Sequence, residues 1–185
     1  MRIGVDLDNT ILDGTSSHLH YYNLASGLSL TADDVNDFYI YRLYGWSPEE
    51  RDEVFRQYGH DIHWNSQPYP MAIEALGQLI QDHQVSFITA RPEKFRTVTT
   101  DWLKLYKFMY HNITFTENKL QACTDLKIDV LIDDAPHYAE EFAYQNKPVI
   151  LYDQPYNRHI ANNMVYRATD WNEVKKHLKN LPINL

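Results

Sequence analysis

A single cysteine, Cys123, leaves no partner for an internal disulfide and fits a reducing compartment. Six glycines and eight prolines in 185 residues are too few for a collagen-like or low-complexity chain. Basic residues are in deficit, 17 Lys and Arg against 25 Asp and Glu, for a net charge of −8. That balance argues against a nucleic-acid polymer as partner, because sequence-independent backbone binding needs a basic face. Long apolar runs are missing too: none approaches the roughly 18 to 20 residues that cross a bilayer. The opening MRIGVDLDNT sets two aspartates where a signal peptide would carry its apolar stretch. The expectation is a cytoplasmic chain with no membrane partner. What is present is a 44% hydrophobic, 14% aromatic composition, enough to bury the core of one ordinary domain.

Five short apolar runs read as buried strands: Arg2–Leu7, Gln84–Thr89, Asn112–Thr116, Asp129–Ile132 and Pro148–Tyr152. Amphipathic stretches lie between them. Ala72, Ile73, Leu76, Leu79 and Ile80 repeat at helical spacing, as do Val98, Trp102, Leu105 and Phe108 or Met109 after a start at Arg91-Pro92-Glu93. Asp170 and Glu173 have capping-box spacing ahead of Trp171, Val174 and Leu178. Strands alternating with helices predict an α/β fold, a doubly wound, Rossmann-like parallel sheet of five strands.

One interval breaks that rhythm. A strand–helix–strand unit takes about 30 residues, yet more than twice that separates Leu7 from Gln84. Ser47-Pro48-Glu49-Glu50 forms a capping box with proline at the first helical position, and Thr31-Ala32-Asp33-Asp34 is a weaker start. The economical division is an α/β core of residues 1–13 and 69–185, with a small helical cap, 14–68, inserted after the first strand.

In a parallel sheet, ligand chemistry collects at the carboxyl ends of the strands. The first run ends in Asp6-Leu7-Asp8-Asn9-Thr10, the second in Thr89-Ala90-Arg91, the fourth in Asp133-Asp134. Clustered carboxylates repel unless a cation or proton offsets them, and oxygen donors suit a hard ion such as Mg²⁺. Each piece alone has a plain explanation, a turn for Asp-x-Asp and a helix cap for Asp133-Asp134. Their order along the chain is far more demanding.

In that order the chain resembles the haloacid dehalogenase superfamily of aspartate-nucleophile phosphohydrolases. Asp6-Leu7-Asp8-Asn9-Thr10 matches the first motif, Thr89 behind Val85–Ile88 the second, Lys119 the third and Asp133-Asp134 the fourth. It is similar, more narrowly, to the 5′(3′)-deoxyribonucleotidase-like branch, through Leu131-Ile132-Asp133-Asp134, Asp153-Gln154-Pro155-Tyr156-Asn157 and the helix after Trp171. The resemblance implies a Mg²⁺-dependent phosphatase acting on a small phosphate monoester, a nucleoside 5′(3′)-monophosphate. Asp6 would be the nucleophile and Asp8 the general acid and base. Mg²⁺ would be held by Asp6, Asp8 through its backbone carbonyl, and Asp133, with Asp134 behind them. Thr89, Ala90 and Lys119 would bind phosphate, and Asp13 matches an acidic position near the first motif.

Lys127 competes with Lys119, and Arg91 either holds substrate or faces solvent. Among the many aromatics of 14–68, most form a core of their own, while Phe38, Tyr39 and Trp46 are candidates to reach a nucleobase. His18-x-His20 and His60-x-x-His63 lack the cysteines or second ligand set of a zinc site. Cys123 reads as a small buried side chain. The alternatives are a sugar or cofactor phosphatase, or a phospho-accepting module without turnover; the second aspartate, Asp8, favours turnover.

Overall fold

The computed structural model describes residues 1–181. The last four residues of the expected core segment, 182–185, lie outside the described residues. The strands are β1 (Arg2–Val5), β2 (Leu12–Asp13), β3 (Gln67–Pro68), β4 (Gln84–Thr89), β5 (Asn112–Phe115), β6 (Val130–Asp133), β7 (Val149–Tyr152) and β8 (Val165–Ala168). The helices are α1 (Gly14–Ser26), α2 (Pro48–Asn65), α3 (Ala72–Asp82), α4 (Arg96–Leu105), α5 (Lys119–Asp125), α6 (Pro136–Tyr144) and α7 (Trp171–Asn180).

Six strands pair in parallel in the order β5-β4-β1-β6-β7-β8. Alternate residues enter opposite cores, as a period of two requires. Ile3, Val5, Phe87 and Ile132 pack with Trp102 of α4 and Trp171 of α7, while Ile88, Leu131 and Leu151 pack with Cys123 of α5 and Phe142 of α6. Helices therefore cover both faces. A Cβ on Gly4, in the central strand, would sit 3.2 Å from side-chain atoms of Ile128, Ile88 and Leu131. A larger residue there would press on all three side chains.

The expected five-stranded sheet has a sixth strand. β8 is a half-buried edge, paired on one side only, with β7, and its Val-Tyr-Arg-Ala has no continuous apolar run. Arg167 looks like a break in a strand, yet it is held there by Asp153 at 2.7 Å and Asn157 at 2.8 Å. Two helical expectations also shift. A short 3₁₀ turn, Glu93–Phe95, precedes α4, and Leu103 rather than Leu105 faces the core. Glu173 accepts from Thr169 instead of closing a box with Asp170, which caps α7 alone.

Between β1 and α3, the antiparallel pair β2–β3 ties Leu12 to Pro68 and Asp13 to Gln67. The chain between them forms α1, α2 and two 3₁₀ turns, Ala32–Asp34 and Ile40–Tyr44. Asp13 caps α1 by accepting from Ser16 N at 2.9 Å. The Ser47–Glu50 capping box starts α2, with Pro48 at its first position. The Thr31–Asp34 box yields a single 3₁₀ turn. Leu19, Tyr22, Val35, Ile40, Tyr41 and Ile62 make a third hydrophobic cluster, joined from the sheet side by Tyr156.

Candidate active site

The carboxyl ends of the three central strands deliver their side chains to one place. Asp6 follows β1 and is kept in register by its N–H donating to Ile132 O at 2.9 Å. Asp133 ends β6, and its Oδ1 accepts from Ala135 N at 2.9 Å. Carboxylate oxygens of Asp6, Asp133 and Asp134 lie within 4.8 Å of one another, all buried. One ammonium sits among them. Lys119, the first residue of α5 and only 2% exposed, donates to Asp6 Oδ1 at 2.6 Å and Asp133 Oδ2 at 2.7 Å. Lys127 is exposed and precedes β6 in a left-handed conformation.

Charge here is only partly offset. Burial pushes the Asp6 carboxyl up to about 7, against the pull of Lys119 and with repulsion from Asp133 and Asp8. Asp134 stands well above the usual carboxylate range, through burial first and then its two acidic neighbours. Burial disfavours the Lys119 ammonium, but Asp133 and Asp6 outweigh it and raise its proton affinity above the ordinary value. Three oxygen-donor carboxylates around one cation are the donor set of a hard divalent ion. The residues fit one.

Asp8 is placed elsewhere. Asn9 takes a positive φ of 53°, and Leu7 O accepts from the N–H groups of Thr10, Ile11 and Leu12. This tight turn sends the carboxylate of Asp8 to Arg91, which donates from Nε and Nη2 at 2.7 Å each. Arg91 also donates to Thr99 Oγ1 at 3.1 Å, and its side chain is 2% exposed against 28% for Asp8. Burial works against ionised Asp8, but the bidentate guanidinium wins and holds its carboxyl well below the usual range. Asp8 therefore contributes no side chain to the acidic cluster, whereas Asp134 does. Arg91 is buried rather than solvent-facing.

Thr89 ends β4, 1% exposed, and its Oγ1 accepts from Arg91 N at 3.2 Å. The first motif carries two further polar residues with assigned partners. Thr10 donates to Asp134 Oδ1 at 3.2 Å. Asn9 Oδ1 accepts from Thr15 N at 2.9 Å, while its Nδ2 donates to Tyr156 Oη at 2.9 Å. Tyr156 in turn donates to Asp134 Oδ2. Asn9 and Tyr156 were not among the expected site residues. Their pairing spans 147 positions, and the signal that could have found them is that each stands in a segment carrying the family resemblance, Asp6–Thr10 and Asp153–Asn157.

A cavity of about 260 Å³ joins these groups to the helical segment. Asp6, Asp8, Thr89, Ala90, Arg91, Lys119, Asp133 and Asp134 line one side; Phe38, Tyr39, Tyr41, Phe55 and two histidines, His18 and His63, line the other. Trp46 is not among the lining residues. It stacks on Tyr44 at 4.9 Å and meets Tyr22 edge-on at 5.0 Å, so it serves the third cluster's own packing and not the cavity. No helix among the described residues is long and apolar enough to cross a membrane.

Comparison with known proteins gives one consistent relationship. Residues 1–181 match the family model described as 5′ nucleotidase, deoxy (Pyrimidine), cytosolic type C protein. A Halalkalibacterium halodurans protein named "Putative nucleotidase BH1399" is 29% identical over 180 residues, covering 94% of this chain and 90% of its own length. Nucleotidase CA_C3379 of Clostridium acetobutylicum is 25% identical over 179 residues, with 94% and 91% covered. In fold, the chain is similar to the haloacid dehalogenase-like hydrolase SP0104 of Streptococcus pneumoniae, with a TM-score of 0.73, 16% identity, and 96% and 97% of the two chains covered. With the fold of haloacid dehalogenase-like hydrolases, the chain thus belongs to the family described as 5′ nucleotidase, deoxy (Pyrimidine), cytosolic type C protein, and is a phosphoric monoester hydrolase.

Proposed function

We propose that this hydrolase cleaves a nucleoside 5′(3′)-monophosphate through a phosphoryl-Asp6 intermediate, with Mg²⁺ as its ion. The observation that carries the reading is the convergence of Asp6, Asp133 and Asp134 around Lys119 at the strand ends. Asp6 and Asp133 would hold the ion by carboxylate oxygens and Asp8 by its backbone carbonyl, with Asp134 beside them. When bound, the ion neutralises charge on the phosphoryl oxygens and lowers the proton affinity of its carboxylates.

The residues divide the work. An oxygen of Asp6 attacks phosphorus, and the bond from phosphorus to the alcohol oxygen breaks. Asp8 gives that oxygen its proton, then takes one from the water that attacks phosphoryl-Asp6, releasing phosphate and restoring the carboxylate. Lys119 holds the nucleophile's charge and meets the phosphoryl group, and the Thr89 hydroxyl donates to it. An acid needs a proton, and Arg91 denies one to Asp8 in the resting pair. A phosphate dianion entering the cavity competes for Arg91, which frees Asp8 to protonate. Arg91 is thereby a phosphate ligand in this scheme.

Residues 1–13 and 69–185 carry the chemistry and 14–68 the selection. Support for a nucleoside comes from family membership and from the Phe38, Tyr39 and Phe55 side of the cavity, where base stacking is worth roughly 1–3 kcal/mol. The family description also supports a cytosolic location. The test is phosphate release from nucleotides, sugar phosphates and an aryl phosphate, with and without chelator, beside Asp6→Asn. The expected result is chelator-sensitive release, greatest for nucleotides, and a loss of about 10³-fold or more in Asp6→Asn. Undiminished turnover by Asp6→Asn would overturn the reading.

A further inference from the structure

We propose that His63, with His18 beside it, binds a hydroxyl group on the alcohol half of the substrate; this rests on the phosphomonoesterase reading of Asp6 and Asp8. His63, on α2, is 3% exposed, and neither Nδ1 nor Nε2 has a hydrogen-bond partner. Native structures pair nearly all such buried atoms, so an orphaned ring needs a reason. Packing does not supply one. His63 stacks on Phe55 at 6.0 Å and meets Phe95 edge-on at 4.6 Å, surroundings in which phenylalanine would leave nothing unpaired. One turn earlier, a Cβ on Gly59 would come within 2.4 Å of Phe95 Cζ, so that glycine is what lets Phe95 lie against α2. A tightly fitted aromatic nest has been built around a polar ring.

That ring lines the cavity together with Asp8, Arg91 and His18. Burial first, then Arg91, keeps His63 neutral, which gives it one N–H donor and one acceptor nitrogen. His18 Nδ1 lies 2.7 Å from Gly14 O, an acceptor, so the proton is on Nδ1 and Nε2 is left to accept. The two rings are 6.4 Å apart. Phosphoryl oxygens of a dianion only accept and would leave both acceptor nitrogens unpaired. A divalent ion would lack a ligand set: both oxygens of the neighbouring Asp8 are taken by Arg91, and the cluster of potential metal ligands among the described residues is Asp6, Asp133 and Asp134. A hydroxyl both donates and accepts. Because Asp8 serves the leaving oxygen, its histidine neighbours border the alcohol, which for a nucleoside 5′-monophosphate presents the sugar 3′-hydroxyl.

The experiment is a set of kcat/KM ratios between substrates differing by one hydroxyl: a 2′-deoxynucleoside 5′-monophosphate against its 2′,3′-dideoxy analogue, and glycerol phosphate against propyl phosphate. Ratios within each variant cancel general losses. The wild type is expected to favour the hydroxylated member by about tenfold or more, since a site that hydrogen-bonds a hydroxyl rejects the analogue lacking it. His63→Phe and the smaller His63→Leu should each bring the ratio near one, and His63→Gln, which keeps a donor and an acceptor, should restore part of it. His63→Phe should also melt higher than the wild type, because it removes orphaned polar atoms; a purely structural histidine would do the reverse. A wild-type ratio near one, or a ratio that survives His63→Phe, overturns the proposal while leaving nucleotide turnover intact. Discrimination between the alkyl phosphates without nucleotide turnover would instead uphold the hydroxyl site and overturn the nucleotide reading.

Discussion

The two sides of the cavity are built on different terms. On the sheet side, strand ends fix the backbone, and each polar side chain is held by a partner: Asp6 and Asp133 by Lys119, Asp134 by Thr10 and Tyr156, Asp8 by Arg91. On the helical side, aromatic rings dominate and His63 is left without a partner. A fully paired wall is pre-set for one reaction, since oriented charges need no rearrangement to act. An unpaired wall waits for the ligand to complete it. In the proposed scheme, chemistry and selection are thereby separated across one cavity.

The sharpest way to break the sheet side is Asp8→Ala. It should lower kcat by about 10³-fold, and it strands Arg91 as a buried unpaired guanidinium, costing about 3 kcal/mol in a denaturant titration. Asp8→Asn, which still offers an oxygen to Arg91, should lose as much activity with a smaller cost in stability. Tyr156→Phe comes next. It removes the hydroxyl shared by Asn9 and Asp134, whose hydrogen bond lowers Asp134's proton affinity. The concentration of Mg²⁺ for half-maximal rate should rise about tenfold, the usual scale for a group behind a metal's ligands.

On the helical side the comparison is between two aromatics. Tyr39→Ala should raise KM for nucleotides about fivefold or more through lost stacking, with KM for an aryl phosphate far less affected. Trp46→Ala should instead lower the melting temperature, having no place at the cavity. The smallest effect is in pH. In the proposed scheme Asp6 attacks as a carboxylate, so the rate should fall as pH drops through about 7, where burial places that group. A bound cation favours the charged form. Raising Mg²⁺ should therefore move that acid limb to lower pH, by about one unit, as rate–pH profiles at two Mg²⁺ concentrations would show.

The rim was legible because its residues sit at strand ends, and apolar runs such as Val85–Ile88 mark those ends locally. The six-stranded count was not, because the edge strand β8 carries Tyr166 and Arg167 where a buried strand would be apolar. Pairings across the chain were hidden for another reason. Asp8 meets Arg91 83 positions away, and nothing near Asp8 shows that the turn at Asn9 aims it there rather than beside Asp6. The histidines illustrate the same limit. His18-x-His20 and His60-x-x-His63 each read as a local pair, yet the pair the fold assembles takes one member from each, His18 and His63.

The most direct test is to quench Asp8→Asn enzyme rapidly in acid after mixing with Mg²⁺ and an aryl phosphate, whose phenolate leaves without an acid, then map the phosphoryl adduct by mass spectrometry. The expected result is an adduct confined to the peptide carrying Asp6, lost on hydroxylamine treatment as an acyl phosphate is. An adduct on another residue, or none at any quench time although the substrate is being consumed, would contradict nucleophilic attack by Asp6.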